Sequence, residues 1–199
     1  MKEKSVQYAD ANHKDDKIKF VTINIEGEIL DDMKDSFDHL FSFYTFHWVK
    51  EQEKAFTNVY DLLSANGECL VMFLGYCQVY SVFYPLYKSE KWGKLLKDFD
   101  KFPSPYWYFR DPDAAITKML KKIGYRRVDV RCKQMTHTYN DIEHMKRLIS
   151  AISPFDIPKD LFPEFLDDFI EVFRTMKLID EESGTITIIY NLLVVHCTK

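Results

Sequence analysis

Glycine is scarce in this chain. Its 199 residues include six, where ordinary usage would give about 14. They stand at Gly27, Gly67, Gly75, Gly93, Gly124 and Gly184. No two are close enough to build a G-x-G turn, so a complete glycine-rich phosphate or dinucleotide loop is excluded. Cys69, Cys77, Cys132 and Cys197 form no C-x-x-C, and no Cys/His set has zinc-finger spacing. His137 and His144 are not four apart and have no third ligand nearby, so no metal site is read. There is no excess of positive charge: 27 Lys and Arg face 31 Asp and Glu, for a net charge of −4. That removes the electrostatic footprint expected of a nucleic-acid partner. No apolar run approaches the roughly 18 residues of a membrane span. Met-Lys-Glu-Lys-Ser leads into polar sequence rather than an export signal. Free thiols without such a signal favour the cytoplasm.

What is present is apolar and aromatic: 46% of residues are hydrophobic and 16% aromatic, enough surface to build a core. Lys4 to His13 reads as the end of a helix. Ile18 to Ile23 alternates and is β-rich, so it predicts a strand, with Glu26-Gly27-Glu28 as a turn. Phe37 to Phe43 predicts a second strand, too apolar for a solvent-facing edge. Phe56, Val59, Tyr60 and Leu63 set the stripe of a helix, closed by the turn signal Ser64-Ala65-Asn66-Gly67. Cys69 to Leu74 follows as a buried strand. Strand, helix, strand implies a right-handed crossover and a parallel pair.

Gln78 to Tyr87 and Lys88 to Phe99 both look helical. Asp111-Pro112 reads as N-cap and first helical position, Ile116, Met119, Leu120 and Ile123 as the stripe, and Gly124 as the stop. Arg126 to Cys132 alternates as a half-exposed strand. Asn140 and Glu143 resemble a capping box. A long helix follows Pro158, carrying Phe162, Phe165, Leu166, Phe169, Phe173 and Met176. Ser183-Gly184 then turns the chain into a last strand, Thr185 to Thr198.

Three segments could carry chemistry. Asn24-Ile25-Glu26-Gly27 leaves the first expected strand, where open α/β sheets bind ligands outside their carboxyl ends. It suits an adenine or ribose contact, or is simply a polar turn. Ser42-Phe43-Tyr44-Thr45-Phe46-His47-Trp48 leaves the second strand. The Trp48 indole N–H and the His47 ring could hold a carboxylate beside an apolar pocket. Alternatively the segment is an aromatic strand-to-helix corner. Phe102 to Phe109 holds five aromatics and two prolines and reads as cover for an apolar ligand or as packing. The Phe162 to Phe173 helix reads as core.

The run Ser36 to Val49 closely resembles the juvenile hormone acid O-methyltransferases of arthropods. So do Ile23-Asn24-Ile25-Glu26-Gly27, Lys91-Trp92, Phe102-Pro103-Ser104-Pro105, Asp111-Pro112 and Ser153-Pro154-Phe155-Asp156-Ile157-Pro158-Lys159-Asp160, in order over nearly the whole chain. The resemblance implies an α/β fold: a Rossmann-like class I methyltransferase sheet with helices on both faces, S-adenosyl-L-methionine as cofactor, and a C-terminal antiparallel strand pair. It implies methylation of the carboxylate of a small apolar acid of the farnesoid or juvenile hormone type. The family tryptophan that helps hold that carboxylate matches Trp48, with His47 beside it as the second catalytic candidate. Asn24, Ile25, Ser42 and Tyr44 fall at cofactor positions, Asn24 in place of the family aspartate that faces the adenine. Tyr76, Phe102, Tyr106 and Trp107 join Trp48 as substrate-side candidates.

In the family, an N-terminal glutamine, a first strand with its glycine-rich loop and a second strand with its ribose-binding acid come earlier. Residues 1–199 therefore read as a single partial methyltransferase domain, lacking the first two strands. Ile18 to Ile23 and Phe37 to Phe43 must then either pair directly or both present open edges, and cofactor binding by this chain is expected to be poor. A non-catalytic acid-binding or regulatory protein is the competing expectation.

Overall fold

A computed structural model describes residues 3–13 and 15–199. The framework is a four-stranded sheet: β1 (Phe37–Phe43), β2 (Leu63–Cys77), β3 (Arg126–Tyr139) and β4 (Ile186–Thr198), in the order β1-β2-β4-β3. β1 and β2 run parallel, and β4 is antiparallel to both β2 and β3. α2 (Gln52–Leu62) makes the parallel crossover, as the strand–helix–strand reading expected, and the last strand is antiparallel. α1 spans Glu3–His13, α3 Gln78–Lys88, α4 Pro112–Ile123, α5 Ile142–Ile152 and α6 Phe162–Thr175.

Alternation along β2 explains the layering. Cys69, Val71 and Phe73 point to one face and are buried there with Leu193, Val195 and Cys197 of β4 under α2 and α4. α4 suits this role because Pro112 opens it and Gly124, at φ 120°, ends it beyond Lys121 and Lys122. Tyr125 then donates its hydroxyl to Phe56 O at 2.8 Å, tying α4 to α2. Among the described residues, the opposite face is covered only towards the carboxyl ends of β1 and β2. There Ile186 and Ile188 pack under α3, α5 and α6, around Phe83, Phe165, Phe169 and Phe173. In α6 the last three stand four apart, so their rings stack along one face, 6.1 and 5.3 Å between centroids.

Several expectations need correction. Ile18 to Ile23 is not a strand: its nearest approach to a ladder is one bridge, Asp15 to Ile18. Extended sequence without a neighbour to pair with gains no ladder. Neither arrangement expected for the two apolar segments is found: they do not pair, and among the described residues β1 presents an open edge without a second strand beside it. β1 keeps its expected bounds but is an edge strand after all, with Phe41 63% and Phe43 53% exposed. On its open face His39, Phe41 and Phe43 stack on one another, each step 6.3 Å, instead of entering a core.

Lys88 to Phe99 is a chain of turns rather than a second helix. Ser89 ends α3 by donating its hydroxyl to Leu86 O (2.7 Å) and accepting from Trp92 N (3.1 Å). Gly93 sits where a Cβ would meet Tyr87 O and Ser89 O at 2.7 Å. The cap of α5 is Asp141, accepting from His144 N at 2.6 Å, not Asn140. Leu63 opens β2 rather than closing the α2 stripe. The Ser64–Gly67 turn survives as an irregular start to that strand, with Asn66 at φ 65°. β3 continues past Cys132 to Tyr139 because its second half pairs with Ile186 to Asn191 of β4.

Candidate active site

The corner between β1 and α2 is fixed from below. Tyr44 takes a left-handed φ of 52°, turning the chain out of the strand, and its N–H still reaches Met72 O at 2.8 Å. Phe46 is buried against Phe56 and Phe73, 4.9 and 6.0 Å between centroids. Gln52 donates its side-chain amide to Phe46 O (2.7 Å) and Val49 O (2.8 Å), clamping the single turn Phe46–Trp48. Glu26 accepts the N–H groups of Lys50 and Glu51 at 2.7 and 2.8 Å, which caps the approach to α2.

His47 and Trp48 ride on this turn with ring centroids 4.7 Å apart. His47 is only 4% exposed, and its Nδ1 is buried without a hydrogen-bond partner. Burial, reinforced by the Lys50 ammonium, pushes its pKa down to about 4, so the ring is neutral at pH 7. A neutral imidazole presents one N–H and one lone pair. Trp48 is 40% exposed and packs on Phe102 at 5.3 Å.

Both rings line an apolar cavity of about 410 Å³ at the carboxyl ends of β1 and β2. Its walls are Leu74, Cys77, Val79 and Tyr80 from β2 and α3, Leu148 and Ile152 from α5, and Ile188 and Tyr190 from β4. Tyr44 stands at one rim, and His137 and Tyr139 of β3 also line it. Burial raises the phenols of Tyr80, Tyr139 and Tyr190, with Tyr44 adding to the last, so all three remain protonated donors. The Cys77 thiol is pushed up to about 11 by burial and is unreactive at neutral pH. On the other side of Trp48 lies a cavity of about 460 Å³ lined by Lys94, Lys97, Lys101, Phe102 and Phe155.

The remaining expected residues scatter. Phe102 is buried beside Trp48, in the wall of the second cavity. Tyr106 is core, 5.9 Å from Phe73, and burial pushes its phenol up to about 12. Trp107 packs on Tyr80 and Phe99 near Lys50, whose ammonium donates to Pro103 O at 2.7 Å. The Tyr76 hydroxyl lies 3.4 Å from Ser81 Oγ, outside the apolar cavity. Tyr80 comes from α3, and strand order brings His137, Tyr139 and Tyr190 here, so the local sequence of these four does not announce them as site residues.

On the cofactor side, Ile25 and Gly27 are held through their carbonyls by Asn58, at 2.7 and 2.8 Å. The Asn24 amide oxygen is already engaged, accepting from Glu26 N at 3.1 Å. Ser42 is half-buried on β1 and Tyr44 is exposed. These residues fit a cofactor only in part: the Asn24 acceptor is used internally, and no glycine pair offers a close backbone approach.

A parallel β–α–β unit closed by an antiparallel last strand, with a ligand-sized cavity at the strand ends, is the architecture of class I S-adenosylmethionine-dependent methyltransferases. The fold matches a proposed methyltransferase from Bacillus halodurans (TM-score 0.61, 15% identity, 100% of this chain and 80% of that one). It also matches YcgJ of Bacillus subtilis (TM-score 0.59, 14% identity, 100% and 79%). A methyltransferase-domain family model matches residues 1–71. The chain is 38% identical to juvenile hormone acid O-methyltransferase of Bombyx mori over 99% of its length and 73% of that protein. It is 32% identical to the Drosophila melanogaster enzyme of that name over 90% of its length and 62% of that protein. The chain belongs to the juvenile hormone acid O-methyltransferase family. S-adenosylmethionine is its expected cofactor.

Proposed function

We propose that this chain forms the acceptor side of a carboxyl O-methyl transfer, holding an apolar acid of the farnesoid or juvenile hormone type. The supporting observation is the neutral, buried His47 beside Trp48 in the lining of a largely apolar cavity. A carboxylic acid with a pKa near 4.3 is ionised at pH 7, so no general base is required of the protein. What is required is orientation. The indole N–H of Trp48 donates to the carboxylate, and His47 offers a second donor in the tautomer that carries its proton on the cavity side. Fixing the oxygen in line for attack converts binding into rate. Apolar walls strip water from that oxygen.

The chain alone binds S-adenosylmethionine weakly, since the Asn24 oxygen is occupied and a glycine-rich cradle is lacking among the described residues. That observation also favours a second reading, an acid-binding protein of this family that does not itself turn over. Calorimetry addresses both. A farnesoid acid is expected to bind the wild-type chain and to lose at least about tenfold in affinity in Trp48→Ala. Unchanged affinity removes Trp48 from the site. Micromolar binding of the cofactor to the wild-type chain overturns the weak-cofactor reading, and methyl transfer by the chain alone removes the second reading.

A further inference from the structure

The apolar cavity has hydrogen-bonding groups from both edges of the sheet. Tyr44, His47 and Trp48 come from the corner beyond β1, and His137 and Tyr139 come from β3. β1 and β3 are separated by β2 and β4, three strand spacings or about 14 Å. Between them the walls are mainly apolar, Leu74, Val79, Ile152 and Ile188, with the Tyr80 and Tyr190 phenols among them. His137 shares the cavity face because it pairs directly with Ile188, whose side chain is buried there. Its ring lies edge-on to Tyr139, 4.5 Å between centroids and 74° between planes, which limits its rotation. His137 is exposed, and its side chain takes part in no hydrogen bond or ion pair among the described residues, so its ring nitrogens are free for a ligand.

We propose that His137 is a specificity-determining residue, hydrogen-bonding a second oxygen on the acid at the end remote from its carboxylate. The inference rests on the acid-binding reading above. A span of about 14 Å corresponds to a chain on the order of ten bonds. The favoured ligand is therefore an apolar acid of roughly that length with a distal hydroxyl, carbonyl or ether oxygen. An acid without that oxygen leaves the His137 end of the cavity unused.

The test compares lauric acid with ω-hydroxylauric acid, titrated below micelle-forming concentration and followed by tryptophan fluorescence. It uses the wild-type chain, His137→Leu and His137→Gln. His137 is exposed on a paired strand, so both variants are expected to fold, and circular dichroism verifies it. The affinity ratio of the hydroxy acid to the plain acid is expected to fall by about tenfold in His137→Leu. It should be largely restored in His137→Gln, which keeps a donor and an acceptor. An unchanged ratio in His137→Leu overturns the inference and leaves the acid site standing. If neither acid binds the wild-type chain, the acid-binding reading and this inference fall together.

Discussion

One face of the sheet is dry at one end and wet at the other, although the same strands run through both. Towards the carboxyl ends of β1 and β2, Ile186 and Ile188 are buried under α3, α5 and α6. Further back, Phe41 and Phe43 lie open and Leu70, Met72 and Val194 are half-exposed. Beyond them a polar border begins, with Glu68 between His39 (3.2 Å) and His196 (2.9 Å). Composition does not separate the two ends, since both carry alternating apolar residues. The difference is which segments of chain return over the sheet. The cavity lies where cover begins, so its floor is strand and its roof is helix.

Truncating one aromatic at each end should separate the two most widely. Phe169→Ala, in the covered end, should cost about 3–5 kcal/mol in urea unfolding. Phe41→Ala, on the bare end, should stay within about 0.5 kcal/mol. Similar losses at both positions would mean that the bare end is not bare in solution.

The next effect is in pH. His47 is neutral when folded, with its pKa near 4, and ordinary near 6.5 when unfolded. Below pH 6.5 the unfolded chain therefore takes up a proton that the folded chain refuses until about pH 4. Stability from this group is complete above pH 6.5 and is lost as pH falls towards 4, by up to about 3 kcal/mol. His47→Gln should flatten that part of the profile. A wild-type profile level between pH 6.5 and 4.5 would contradict the burial of His47.

A smaller effect is expected at Asp168, which accepts from the buried Trp92 Nε1 at 2.8 Å and from Lys91 at 2.6 Å, joining α6 to the turns after α3. Asp168→Ala should cost about 2 kcal/mol, because it leaves the indole N–H without an acceptor. Smallest is Lys101→Ala: its pair with Asp98 is exposed and three residues apart, so the loss should be below about 0.5 kcal/mol.

Local chemistry was legible in the sequence where the cause is local. The bounds of β1, the Pro112 start and Gly124 stop of α4, the phenylalanine ladder of α6 and the His47-Trp48 corner all follow from neighbouring residues. What depended on distant partners was not. Ile18 to Ile23 has a strand's alternation, but a strand exists only with something to pair with. Glu26 caps a helix that begins 26 residues later, and nothing in its own segment announces that. His137 and Tyr190 reach the cavity only because β4 inserts between β2 and β3. Tyr106 and Trp107 share the aromatic loop with Phe102, yet packing sends them to different places.

Whether the cavity at Trp48 and His47 holds an apolar acid by its carboxylate is decided by titrating the wild-type chain with a farnesoid acid and with its methyl ester, following tryptophan fluorescence. The acid is expected to quench saturably and the ester to bind at least about tenfold more weakly, since it lacks the charge that strengthens the Trp48 and His47 hydrogen bonds. Equal affinity for acid and ester would remove the carboxylate from the Trp48–His47 corner.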